Sequence, residues 1–156
     1  MYYINSDKKM TEKDWGKIKY MHYRMETWGE PFQVAFFLVF LIEAMRKIAK
    51  SPCILTCSAF AKSGHSENSP HGYGYAADLR FPRLSIFEMY RLATLFPFTG
   101  IGLYPKSNGG PFIHVDIKPI KKFQKRRGWI GIKKGKKSSG WKYLPLNEKN
   151  LRKYII

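Results

Sequence analysis

The nine-residue run Val34 to Ile42 (VAFFLVFLI) constrains the fold more than any other stretch. It is apolar nearly all round, yet half the ~18 residues needed to cross a bilayer. Such a segment must be buried on every side by other parts of the chain. A helix over about 32–50 is therefore expected, with Pro31 in its first turn and Ser51-Pro52 ending it. At 156 residues, 44% of them hydrophobic, the chain can surround that helix with one core.

The flanking segments say what surrounds it. Thr11 with Asp14 is a capping pair, and Trp15, Ile18, Met21 or His22, and Met25 follow at helical spacing. His22 has no partner for chemistry nearby and is read as structural or exposed. Trp28-Gly-Glu-Pro31 stops this first helix. Cys53 to Phe60 (CILTCSAF) and Tyr75 to Phe81 read as strands, separated by a Ser-, Gly- and Asn-rich loop. Ser85 and Glu88 form a capping box for a helix to about Phe96, closed by Pro97 and Gly100. Ile101–Tyr104 and Phe112–Ile117 are short strands around the turn PKSNGGP. Helices come first, and short strands follow on tight turns. The fold class expected is α+β: a small, mostly antiparallel sheet with the N-terminal helices packed on it. The expected organisation is one domain over residues 1–130 with a basic C-terminal extension over 131–156.

Charge narrows the partners. Twenty-eight Lys and Arg against 11 Asp and Glu leave a net +17. This implies an anionic partner: a wall polymer, a nucleic acid or a membrane surface. The excess is uneven, with eleven basic and no acidic residues from Lys118 to Lys142, and Trp129 and Trp141 among them. Interleaved aromatics and cations suit an anionic polymer or a nucleic-acid strand. The N-terminus (MYYINSDKKMTEKDW) has no apolar signal-peptide core, and no run is long enough to span a membrane. Synthesis in the cytoplasm is expected, with action elsewhere only after release or delivery. Cys53 and Cys57 lie four apart in an extended segment, too far to bridge. They are read as reduced core thiols, with a CxxxC metal pair as the lesser alternative.

Chemistry concentrates in two places. In Phe112–Ile117 (FIHVDI), alternation puts His114 and Asp116 on one strand face and Ile113, Val115 and Ile117 on the other. In SPHGYGYAADLRF, residues 69–81, Gly72 and Gly74 permit a sharp turn that lets His71 fold back toward Asp78. A carboxylate in the strand YAADLRF needs a partner, and a metal is one such partner. Two imidazole nitrogens and one carboxylate oxygen, with water in the fourth position, make the open site of zinc hydrolases.

The pattern Ser69-x-His71-x-x-Gly74-x-Ala76-x-Asp78, followed by Gly100-Ile-Gly-Leu-Tyr104 and His114-Val-Asp116, resembles the zinc peptidases of the D-alanyl-D-alanine carboxypeptidase and hedgehog fold. These include phage endolysins and a small phage-encoded branch. The resemblance covers about residues 32–130. It implies zinc held by His71, Asp78 and His114, and hydrolysis of the peptide stems of bacterial peptidoglycan. Action at the cell wall or association with a virion would follow.

Two positions depart from that family. The catalytic carboxylate that many relatives carry three residues before the last ligand is Pro111 here, which makes Asp116 the candidate base or ligand-orienting group. His65 and Glu67 are weaker candidates. The arginine of an S-G-Y-R pattern is absent after Ser58-Ala59-Phe60, and Lys62 is the candidate to hold a substrate carbonyl or carboxylate. Ser69 is expected to hydrogen-bond within its loop at the substrate-binding edge. Tyr104, with Tyr73 and Tyr75, is a candidate cleft wall. The competing readings are a nucleic-acid-binding or virion-associated protein that retains the fold, and a zinc-bound but catalytically silent module.

Overall fold

The computed structural model describes residues 7–61, 67–119, 125–135 and 140–156. In chain order its helices and strands are α1 (Glu12–Trp15), α2 (Phe36–Ala49), β1 (Ile54–Leu55), β2 (Ala76–Arg80), α3 (Ile86–Thr94), β3 (Gly100–Tyr104), β4 (Phe112–Asp116), β5 (Arg127–Lys133), β6 (Trp141–Pro145) and α4 (Glu148–Tyr154). Short 3-10 turns at Pro31–Gln33 and Pro70–Tyr73 precede α2 and β2. The strands form one six-stranded sheet in the order β1-β2-β4-β3-β5-β6. All neighbours are antiparallel except β3 and β5. The α+β class is as expected.

The core lies against one face of this sheet. Leu79, Ile101, Leu103, Ile113, Val115 and Ile130 point into it from the strands. Leu38, Ile42 and Met45 of α2 and Met89 and Ala93 of α3 meet them from the other side. Burying a side chain of this size stabilises the fold by about 1.5–3 kcal/mol. Strand alternation leaves the opposite face to the other set of side chains, His114 and Asp116 among them.

Both capping boxes form: Thr11 with Asp14 opens α1, and Ser85 with Glu88 opens α3. The elements they open differ. α3 runs as a helix, whereas α1 ends after one turn at Gly16 instead of continuing to Met25. Beyond it the backbone N–H groups of Lys19, Tyr20 and Met21 donate to the Glu43 carboxylate at 2.9–3.1 Å. A side chain of α2 thus replaces the helical acceptors. The apolar spacing still reports burial, since Trp15, Met21 and Trp28 are enclosed and the Trp28 indole donates to the Met21 carbonyl at 2.9 Å. His22 stacks on Tyr23 in this segment, a structural place. The expected Cys53–Phe60 strand is likewise short: only Ile54 and Leu55 pair with β2, and the chain bends at Thr56 and Cys57.

The expected boundary at residue 130 falls inside β5. The ladder from Trp129–Pro145 to Lys133–Trp141 carries the chain on into the same sheet.

Candidate metal centre

Three side chains meet because of register. Asp78 of β2 stands directly opposite His114 of β4. Directly opposed residues share a face, so the two side chains touch, with His114 Nδ1 and Asp78 Oδ1 2.9 Å apart. His71 arrives from the 3-10 turn before β2. The Ser69 hydroxyl caps that turn by accepting from the His71 N–H, and Gly74 ends it in the left-handed region at φ +69°. A side chain at Gly74 would collide with the Gln33 carbonyl. The turn delivers His71 Nε2 to 3.3 Å from His114 Nδ1 and 3.6 Å from Asp78 Oδ1. Ser69 is thus the loop hydrogen-bonder expected, and its turn positions His71.

The triangle of Nε2, Oδ1 and Nδ1 has edges of 3.3, 2.9 and 3.6 Å. A tetrahedral zinc with bonds of about 2.0–2.1 Å requires donor separations of about 3.3 Å. The donor set and its spacing fit that ion. Cys57 lies beside two of these residues: Cys57, His71 and Asp78 offer ligand atoms all within 4.8 Å of one another.

Asp116 lies behind the triangle. Its carboxylate reaches the other ring nitrogen, His114 Nε2, at 3.2 Å. Nε2–H donating to Asp116 leaves the Nδ1 lone pair facing Asp78 and His71, the tautomer a metal ligand needs. Asp116 is fully buried, and such a carboxylate must be satisfied. Thr99 Oγ1 donates to it at 3.1 Å and the Lys118 N–H at 3.0 Å, and the Arg127 guanidinium pairs with it.

These contacts set the charge. Burial opposes ionisation of Asp78, but hydrogen bonds from His114 and His71 outweigh it and hold the carboxyl well below the usual range. The same contest, won by His114, Arg127 and the Lys118 N–H, lowers Asp116. Burial alone would lower His114. Hydrogen bonds to Asp116 and Asp78 overcome it and push the ring up to about 9. The site therefore stabilises positive charge between its carboxylates, which also suits a cation.

Glycines shape the rest of this face. In β3 and β4 the pairs Gly100–Asp116 and Gly102–His114 stand opposite. A Cβ on Gly100 would strike the Asp116 carboxylate, and one on Gly102 would strike the Trp129 indole. The alternation in Gly-Ile-Gly-Leu-Tyr thus keeps one face empty for these groups and gives the core Ile101 and Leu103. Beside it stands an aromatic wall. Tyr104 and Phe112 stack at 4.4 Å, and Trp141 meets Tyr104 edge-on at 4.9 Å. Trp129 donates to the Tyr104 hydroxyl at 3.1 Å and lies 5.1 Å from the His114 ring. Wall and triangle together border a cleft of about 680 Å³.

The structure thus brings together His71, Asp78, His114, Asp116, Ser69 and Tyr104. Tyr73 and Tyr75 stack on each other at a second depression, with Lys9 and Glu30. Glu67 is exposed. Lys62 and His65 lie outside the described residues. Cys53 is in the core, but Cys57 is not: the bend at Thr56–Cys57 takes it out of the core register and brings Sγ to 3.2 Å from Asp78 Oδ2.

Arg127, Trp129, Trp141 and Tyr143 were not picked out by sequence as cleft residues. The basic stretch that holds the first three reads as a surface for an anionic polymer, although Arg-Gly-Trp-Ile-Gly-Ile-Lys carries a period of two. In the described part of this basic stretch these side chains belong to sheet strands around the cleft, and nothing supports a nucleic-acid partner. No helix among the described residues is long and apolar enough to cross a membrane.

Comparison with known proteins gives one informative result. The model of an M15-type peptidase family, described as peptidoglycan L,D-endopeptidase MepK, matches residues 46–123. That span holds His71, Asp78, His114 and Asp116 and ends before β5. No curated protein and no solved structure matches.

Proposed function

The chain belongs to the M15-type peptidase family, metallopeptidases that act on peptidoglycan, and from that premise we propose that it is a zinc-dependent endopeptidase of peptidoglycan stem peptides, with His71, Asp78 and His114 as the ligands. The observation that carries this reading is the triangle of Nε2, Oδ1 and Nδ1, whose edges match a tetrahedral zinc. The endopeptidase assignment follows the description of the family. Bound there, zinc would supply a water of lowered pKa and polarise the scissile carbonyl.

The chain's own residues do the rest. Asp116 is a positioning residue: it accepts from His114 Nε2 and keeps Nδ1 turned into the site. Thr99 and Arg127 hold Asp116 in place. Arg127 spends one edge on Asp116 while its side chain stays 41% exposed along the cleft. It therefore faces substrate as a cation, the part left open by the missing S-G-Y-R arginine. Tyr104, Phe112, Trp129 and Trp141 offer flat apolar surface that packs a stem peptide and excludes water from the bond being cut. The setting is the bacterial wall, where an endolysin works. The net charge of +17 supports it by holding the protein on anionic envelope polymers.

The test is digestion of purified peptidoglycan, with products read by mass spectrometry, with and without a chelator. Cut stems that disappear on chelation are expected, and their masses name the bond. Intact stems from folded, zinc-loaded protein would overturn the proposal.

A further inference from the structure

Cys57 stands where a strand residue would not. In register with β2, positions 53, 55 and 57 would all face the core, and Cys53 and Leu55 do. The ladder makes one more bond, Thr56 N–H to the Asp78 carbonyl at 2.9 Å, and then the chain bends. The bend turns the Cys57 thiol onto the site face, where Sγ lies 3.2 Å from Asp78 Oδ2. The other oxygen of the same carboxylate, Oδ1, is a corner of the donor triangle. Sγ, His71 and Asp78 offer donor atoms within 4.8 Å of one another. Cys57 is only partly buried, unlike the core thiol Cys53.

We propose that Cys57 is a fourth protein ligand of the metal, giving a resting site of one thiolate, two imidazoles and one carboxylate. This inference rests on the zinc reading above. On coordination the sulfur–metal bond forms and the thiol proton leaves to solvent. Four protein ligands close a zinc site, whereas hydrolytic sites keep one position for water. With a metal bound, Cys57 would therefore cover the position that hydrolytic sites keep for water. A soft sulfur donor also shifts metal preference toward thiophilic ions.

The test is the absorption spectrum of the full chain loaded with Co²⁺, a spectroscopically visible substitute for zinc. A near-ultraviolet sulfur-to-cobalt charge-transfer band is expected in the wild-type protein and in Cys53→Ala, whose residue is the chain's one other thiol. The band should vanish in both Cys57→Ser and Cys57→Ala, while the visible d–d bands of bound cobalt persist. Metal affinity in these variants should fall at least about tenfold, the lower end of what losing a supporting partner costs. Wild-type protein with d–d bands and no charge-transfer band would overturn the ligand role of Cys57 and leave the zinc reading standing. A band that survives in Cys57→Ala would do the same. Absence of all cobalt bands from folded wild-type protein would overturn both.

Discussion

The donor triangle and the aromatic wall share one sheet face but are built differently. Asp78, His114 and Asp116 sit on β2 and β4, neighbouring strands whose other face is core. Each of these side chains is held by others of the same set, and all lie within the family-matched span. Trp129, Trp141 and Tyr143 sit on β5 and the edge strand β6, beyond that span, and Tyr143 is 60% exposed. The first region, with His71, holds three donor atoms at the separations a tetrahedral zinc requires. The second offers surface, where aromatic packing tolerates variation. On the proposed function, chemistry belongs to the donor triangle, and grip on the substrate belongs to the aromatic wall.

Substitutions can break this division, beginning with the largest effect. His71→Ala or His114→Ala should lower peptidoglycan cleavage by at least about 10³-fold, since a metal supplies several kcal/mol of transition-state stabilisation. Metal content by elemental analysis should fall with it. Asp116→Asn keeps the shape but not the charge at His114 Nε2, and metal affinity should drop about 10–100-fold in competition with a chromophoric chelator. If affinity were unchanged, Asp116 would not act through His114.

The wall should respond in another parameter. Trp141→Ala removes the edge-on partner of Tyr104 and should raise KM by about tenfold, roughly the 1.4 kcal/mol expected of one lost aromatic contact. Zinc affinity should not change. The glycines sharpen the contrast: a methyl on Gly100 meets Asp116, whereas one on Gly102 meets Trp129. Gly100→Ala should therefore weaken metal binding, and Gly102→Ala should raise KM, read by chelator competition and steady-state kinetics. Identical profiles for the two would dissolve the distinction. The smallest effect on activity belongs to Glu43→Gln, distant from both regions. Weakening its bonds to three backbone N–H groups should cost about 1–3 kcal/mol, seen as a lowered Tm with kcat/KM unchanged.

Much of the centre was legible because short-range geometry decides it. Alternation in Phe-Ile-His-Val-Asp-Ile puts His114 and Asp116 on one face whatever lies around them. Ser69, Gly74 and Asp78 each carry a local requirement: a cap, a left-handed turn and a carboxylate needing partners. The pairing of Asp78 with His114 is a register, which the sequence implies only through resemblance to the family. The rest depends on long-range contacts. α1 stops because Glu43, more than twenty residues on, takes the N–H groups a helix would have used. Cys57 leaves the core because the chain bends against β2. Arg127 and Trp129 sit over the site because β5 lies parallel to β3, and Gly102 leaves the Trp129 indole room. A basic run gives no hint of that when charge alone is considered.

The account stands most directly on zinc titration of the metal-free enzyme. The protein is stripped with a chelator, shown to remain folded, and given zinc in sub-stoichiometric steps while stem-peptide cleavage is followed. The account predicts no cleavage without metal and recovery that saturates at one zinc per chain, with none recovered in His71→Ala. Full cleavage by the stripped protein, or recovery in His71→Ala equal to wild type, would contradict it.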